Sequence, residues 1–254
     1  MSGLLGLSPL LVALIVVGVG VVVSSVGAIV ADRTLSPFTL SESNIVGGFN
    51  FSFLEPGLAV ILFYALPLDW ASYNGLADQI GIESGALQVL ERTAAGLASP
   101  LDDQLRAAVR GYAAAVAHSE WPAMEDGRSS PEAAAALGRL TALYGTARAT
   151  GPSETIALRM SQRLLAKVVE SRSARLSLAT EKDGPATWAI AVFVTLCVFA
   201  FAWFFGLPTL TTKLVMGGLF ATAVMTIIYV IFLLRDPFSG TLGLPATPYL
   251  ALAG

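Results

Sequence analysis

Three stretches of this chain, approximately Leu4 to Val30, Ala186 to Gly206 and Leu214 to Leu234, are almost uninterrupted hydrocarbon. Each reaches or exceeds the roughly 20 residues that a helix needs to cross a bilayer, and that length limits the chain to a membrane fold. A fourth stretch, Ile45 to Leu68, is long enough but impure, with Asn44 at its edge and Asn50, Ser52 and Glu55-Pro56-Gly57 inside it. Charge is distributed to match: 26 of the 33 Asp, Glu, Lys and Arg residues lie between Asp69 and Asp183. With 55% hydrophobic and 13% charged residues, the composition is that of a membrane protein carrying one aqueous block.

No segment shows sustained period-two alternation. The expectation is therefore an all-α integral membrane protein with four transmembrane helices and a helical cytoplasmic insertion between the second and third. Residues 1–68 would hold transmembrane helices 1 and 2, 69–183 the insertion, 184–235 helices 3 and 4, and 236–254 a C-terminal tail. No Lys or Arg precedes the first apolar run, and the run exceeds the roughly 7 to 15 residues of a signal-peptide core, so it reads as a retained helix. Cys197 is the single cysteine, which excludes an intrachain disulfide. Arg172, Arg175 and Lys182 precede the third span and Arg235 follows the fourth, against only Arg33 and Lys213 on the other side. The positive-inside rule then places the insertion and both termini in the cytoplasm. A net charge of -3 argues against nucleic acid as a partner.

Within the insertion, Leu76, Ile80, Leu87 and Leu90 recur at helical spacing without a proline, so the second span is expected to continue out of the membrane as one long helix. Ser99-Pro100 with Asp102 and Asp103 reads as the cap and first turn of a helix that Pro122 ends. Ser130-Pro131 opens another, and Ser153 a fourth. Ala113 to Ala117 and Ala133 to Ala136 suit helices that approach closely.

Constellations for catalysis or metal binding are absent: there is one histidine, His118, no HExxH or CxxC spacing and no Gly-rich phosphate loop. His118 reads as structural, because Ser119 and Glu120 beside it point to other helix faces. Neither enzyme activity nor a metal or other cofactor is expected. Glu120 and Trp121 in "SEWP" suit either a helix terminus with a Trp anchor or a corner hydrogen-bonded to basic residues of another helix. Arg159, Arg163 and Lys167, continued less regularly by Arg172 and Arg175, form a basic stripe. It is either a solvated face or, repeated around a symmetry axis, a device that concentrates anions.

Glu55 is the most informative polar residue. A carboxylate within a span is costly unless it meets water, a partner or a proton, so it belongs at a pore, at an interface, or bonded in protonated form to Asn50 or a neighbouring helix. Ile45, Phe49 and Phe53 recur every four residues, with Gly47 and Gly48 permitting close approach. The stripe is helix packing or, around an axis, a hydrophobic constriction of the kind that gates pores by dewetting.

Four spans, the helical block, "EWP" at Glu120, Trp121 and Pro122, "RSARL" from Arg172 through Arg175 to Leu176, and the closing "RDPFSG" together resemble the bestrophin-like family of bacterial membrane proteins over nearly the whole chain. That family is distantly similar to the bestrophins, which are pentameric anion channels. Bestrophins follow their last span with an Asn-Pro-Phe-Gly turn, where this chain has Asp236, Pro237, Phe238, Ser239 and Gly240. Physically, Pro237 stops the helix and Phe238 anchors the turn in an apolar pocket. The acidic cluster that binds calcium in animal bestrophins is missing after Gly240, where the sequence reads "TLGLPATPY", so the resemblance does not extend to calcium gating.

The resemblance implies an oligomeric, pentameric channel of the bacterial inner membrane, conducting inorganic ions of the anion class. Ile45, Phe49, Phe53 and Glu55 would line the pore or its constriction, and Arg159, Arg163 and Lys167 a vestibule. The rival expectation is a non-conducting scaffold or accessory subunit that docks a partner protein through its Ala-rich helices and its tail.

Overall fold

The computed structural model describes residues 9–180, 185–238 and 242–254, leaving out the side chains of residues 9, 37–43, 46, 51 and 185–188. Among the described residues every regular element is helical. Lys182, Ser239 and Gly240 lie outside them, as do the first residues of the Leu4 to Val30 stretch. The helices are α1 (Pro9–Thr34), α2 (Pro37–Ala94), α3 (Leu101–Ala115), α4 (Trp121–Glu125), α5 (Pro131–Thr146), α6 (Pro152–Thr180), α7 (Pro185–Trp203), α8 (Leu210–Leu234) and α9 (Thr247–Ala253), with a π turn at Val116–Glu120 between α3 and α4. Three helices are long and apolar enough to cross a membrane, Leu10–Thr34, Gly47–Ala94 and Leu210–Leu234, and a shorter apolar helix covers Ala189–Trp203. The expected extension of the second span into one long helix is present as α2, which holds Pro56 and Pro67 inside it.

The chain forms two compact units. The first comprises Met1–Ala71 and Asp183–Arg235, and the second Ser72–Lys182 and Asp236–Gly254. In the first unit α1 packs along α8. Small residues set that contact: the Ser24 hydroxyl donates to the Gly217 carbonyl at 3.3 Å, and a Cβ on Gly20 would meet the Met225 side chain. A Cβ on Gly27 would run into the Trp203 indole of α7. Gly47 was expected to permit close approach, but nothing lies within 4 Å of a Cβ built there, and Gly48 only touches Phe205 at 4.0 Å. The close approaches in this unit are instead at Gly20, Gly27 and Gly217. Leu58 and Leu62 of α2 pack with Val198, Val224 and Ile231 to form the unit's apolar core. Asn44 gives its side chain to the α7–α8 turn, donating to the Gly206 carbonyl at 3.0 Å and accepting from the Gly206 amide at 2.7 Å. That pairing satisfies a turn with no helical partner of its own.

In the second unit Leu76, Leu87 and Leu90 of α2, Leu105, Val109 and Tyr112 of α3, Leu140 of α5, Val168 of α6 and Tyr249 of α9 share one buried core. Ala113 and Ala133 are fully buried where α3 packs on α5. Three expected boundaries differ. Pro100, not Ser99, occupies the N-cap of α3 and no side chain caps it, because the chain first turns through a Leu101-to-Ala98 hydrogen bond. Pro122 does not end the helix. The π turn at Val116–Glu120 carries the chain into α4, where the proline falls in the first turn and its missing N–H leaves no bond unmade. Helix α6 begins at Pro152 rather than being opened by Ser153, and Glu154 reaches back to accept from the Thr150 amide and hydroxyl, each at 2.7 Å. Those bonds hold the Glu154 carboxyl below its usual range. Ser130 caps α5 as expected, with Pro131 in the first turn.

Candidate functional site

In the first unit the four-residue spacing of Ile45, Phe49 and Phe53 on α2 puts them on one helix face. All three are largely exposed within the single chain, Ile45 at 83%, and the Phe49 and Phe53 rings meet edge to face at 5.1 Å. Val60, Phe63 and Tyr64 farther along α2 are also exposed. This is a long apolar surface that the chain itself leaves uncovered. Glu55 is exposed too, and among the described residues it has no hydrogen-bond or ion-pair partner, Asn50 included. Six helical positions from Phe49 amount to about 120° around the axis, so Glu55 does not share the aromatic face.

The second unit contains a buried charge cluster. Glu83, Glu120 and Arg175 are each 0% exposed. Arg175 donates from Nε to Glu83 Oε2 at 2.8 Å, from Nη2 to Glu83 Oε1 at 3.3 Å and to Glu120 Oε2 at 2.8 Å, and from Nη1 to Met124 Sδ at 2.9 Å. Arg172 completes a second fork onto Glu120, donating from Nε at 3.2 Å and through Nη2 to Oε1. The Tyr112 hydroxyl donates to Glu83 Oε1 at 2.7 Å. Two carboxylates and two guanidiniums cancel in charge, the condition under which ions remain inside a protein. Burial and then the negative Glu83 push the Tyr112 phenol well above its ordinary pKa. Burial would lower the pKa of Arg175, but Glu83, followed by Tyr249 and Glu120, reverses that and leaves it raised.

Aromatic rings enclose the cluster. The Arg175 guanidinium lies 5.8 Å from the Trp121 ring and 5.7 Å from the Tyr249 ring, both within cation–π range. Phe238 packs edge-on to Trp121 at 5.5 Å, filling the apolar pocket expected for the turn residue. Trp121 Nε1 donates to the Leu244 carbonyl at 3.1 Å, the Leu244 amide to the Pro237 carbonyl at 2.7 Å, and the Tyr73 hydroxyl to the Leu242 carbonyl at 2.8 Å. Residues 236–238 and 242–254 are thereby tied to the aromatic shell. The motif residues Glu120, Trp121, Arg172, Arg175 and Phe238 therefore gather in one place, with Pro237 bonding the chain beside them and Pro122 exposed in α4.

One expectation is corrected. Arg172, 13% exposed at its side chain, and Arg175, fully buried, do not continue the basic stripe but turn inward to the carboxylates. Arg159, Arg163 and Lys167 are exposed. His118, read as structural, is exposed in the π turn, and its neighbour Ser119 donates to Glu132. The sequence reading missed Glu83, Tyr112 and Tyr249, yet the helical period flags Glu83: it sits three residues after Ile80 and four before Leu87, on the buried face. Among the described residues no group of three or more His, Cys, Asp or Glu is placed to hold a metal.

Apolar helices of membrane-spanning length, with only helices as regular elements among the described residues, define an all-helical membrane protein. A family model described as the bestrophin-like domain matches residues 18–249, and the chain belongs to the bestrophin-like family. Among solved structures, two point variants of a bacterial bestrophin homolog from Klebsiella pneumoniae share its fold. One superposes with a TM-score of 0.71 at 15% identity, covering 93% of this chain and 97% of that one. The other gives 0.69 at 14%, covering 97% and 96%. A point variant of a membrane protein gives 0.69 at 13%, covering 94% and 98%. At these identities the likeness is one of fold. No curated protein matches the sequence.

Proposed function

We propose that this chain is one subunit of an oligomeric, pentameric ion channel of the inner membrane, conducting anions, with the first part of α2 lining the pore. Four spans, α1, the membrane part of α2, α7 and α8, would carry it, with the charged block and both termini in the cytoplasm. The observation that carries this reading is the uncovered stripe of Ile45, Phe49 and Phe53 on a helix of a bestrophin-like chain. An apolar ring of that kind, contributed by several copies, closes a pore by excluding water and opens when widened by small amounts. Glu55, roughly a third of a turn away, leaves such a ring uncharged and compatible with anions. The exposed Arg159, Arg163 and Lys167 support anion selectivity by raising the local anion concentration in a vestibule. The buried Glu83–Arg175–Glu120 cluster is the rigid fastening of that vestibule. Purified protein in liposomes tests the function: a chloride gradient is expected to set the reversal potential, and a potential that follows the potassium gradient would refute anion conduction.

A further inference from the structure

On the exposed face of α1, Val22, Val26, Val30 and Leu35 form one side of a groove of about 580 Å³, and Trp203 and Phe204 at the end of α7 form the other. Thirteen helical steps separate Val22 from Leu35, about 20 Å, more than the roughly 15 Å that half of a bilayer's hydrocarbon supplies. The groove is apolar along this length and changes character at its α1 C-terminal end, where Arg33 stands in the last turn and Thr34 joins the lining. Trp203 Nε1 is buried and has no acceptor among the described residues. An N–H left so in an apolar setting costs free energy until something supplies an oxygen. Gly27 leaves the room in which the Trp203 indole lies, so the groove wall is built by a specific pair.

An apolar groove of leaflet length, bordered by an unsatisfied donor and walled by a helix whose last turn carries a basic residue, has the polarity of an amphiphile. We propose that it holds one acyl chain of a membrane phospholipid, whose ester carbonyl accepts from Trp203 Nε1 and whose phosphate lies by Arg33. Trp at the interface and Arg at a span end are the groups that meet lipid at that depth. The lipid is then a bound component of the first unit, independent of whether the chain conducts ions.

The test uses the whole protein in nanodiscs containing phosphatidylethanolamine with a diazirine in its acyl chain, followed by photolysis and peptide mapping. Adducts are expected to concentrate on residues 22–35. Val26→Trp with Val30→Trp, both at exposed positions, should lower them at least fivefold while elution and helicity match wild type. Trp203→Phe should lower occupancy roughly two- to tenfold, the worth of one hydrogen bond. Labelling spread evenly over α1, α7 and α8, or unchanged by groove filling, would overturn the proposal. So would efficient copy-to-copy disulfides from Val26→Cys in a Cys197→Ser background, because a second chain would then cover the groove.

Discussion

Arg175 and Glu83 lie 92 residues apart in sequence and meet through two hydrogen bonds with both side chains fully buried. The pair ties α6 to the C-terminal part of α2, and Glu120 shares the same guanidinium from the π turn. Removing one member leaves a buried charge unmatched. Arg175→Met is expected to cost about 3–5 kcal/mol in a reversible denaturant titration. Arg175→Lys should recover little, because a single ammonium cannot span two carboxylates as a planar guanidinium does. Adding Glu83→Gln to Arg175→Met should cost less than the two single changes summed. Additive costs would show that the pair is not coupled.

Alkaline pH should loosen this unit through its tyrosines. Burial first, then Glu83, raises the phenol pKa of both Tyr112 and Tyr249. Above about pH 10 the unfolded chain releases those protons and the fold keeps them, so the fold binds more protons and stability falls as pH rises. The expected loss is about 1.4 kcal/mol per pH unit for each tyrosine. Below pH 10 neither contributes a slope. Tyr112→Phe should make the alkaline limb shallower, and tyrosinate absorbance should show both phenols titrating only with unfolding. Free titration of both in the native protein would contradict the buried cluster.

Glycines in α1 should differ sharply by position. Gly27→Ala drives a methyl into the Trp203 ring system, a rigid neighbour, and is expected to cost about 1–3 kcal/mol. Nothing lies within 4 Å of a Cβ at Gly18, so Gly18→Ala should be neutral or slightly stabilising through helix propensity. Thermal unfolding in detergent ranks them, and equal melting temperatures would reject the α1–α7 packing.

Glu55 lies off the aromatic face of α2. Glu55→Gln should leave the anion-to-cation reversal potential within error of wild type. A shift of that potential, or of its pH dependence, would move Glu55 into the permeation path.

Much of this was legible in the residues. Long apolar runs give the membrane helices because hydrocarbon thickness fixes their length, and the period of Leu76, Ile80, Leu87 and Leu90 gives the continuation of α2. The family motifs were visible as strings, but their meeting place was not. Charge alone does not say that Arg172 and Arg175 leave the stripe of Arg159, Arg163 and Lys167. Both are exposed-type residues on one helix, and only carboxylates brought from 52 and 92 residues away decide their direction. Periodicity carried the missing clue: Glu83, Glu120 and Arg175 all occupy buried-face positions, where a charge requires a partner. The helix boundaries at Pro100 and Pro122 were misplaced because a turn and a π turn shift register by a single residue.

The most direct measurement is thiol block of Phe53→Cys in a Cys197→Ser background, recorded as current across a planar bilayer before and after a charged methanethiosulfonate reagent. With α2 lining the pore, the reagent should abolish most of the current in Phe53→Cys and leave the cysteine-free parent unaffected. A Phe53→Cys current that persists despite labelling confirmed by mass spectrometry would contradict a pore lined by this helix.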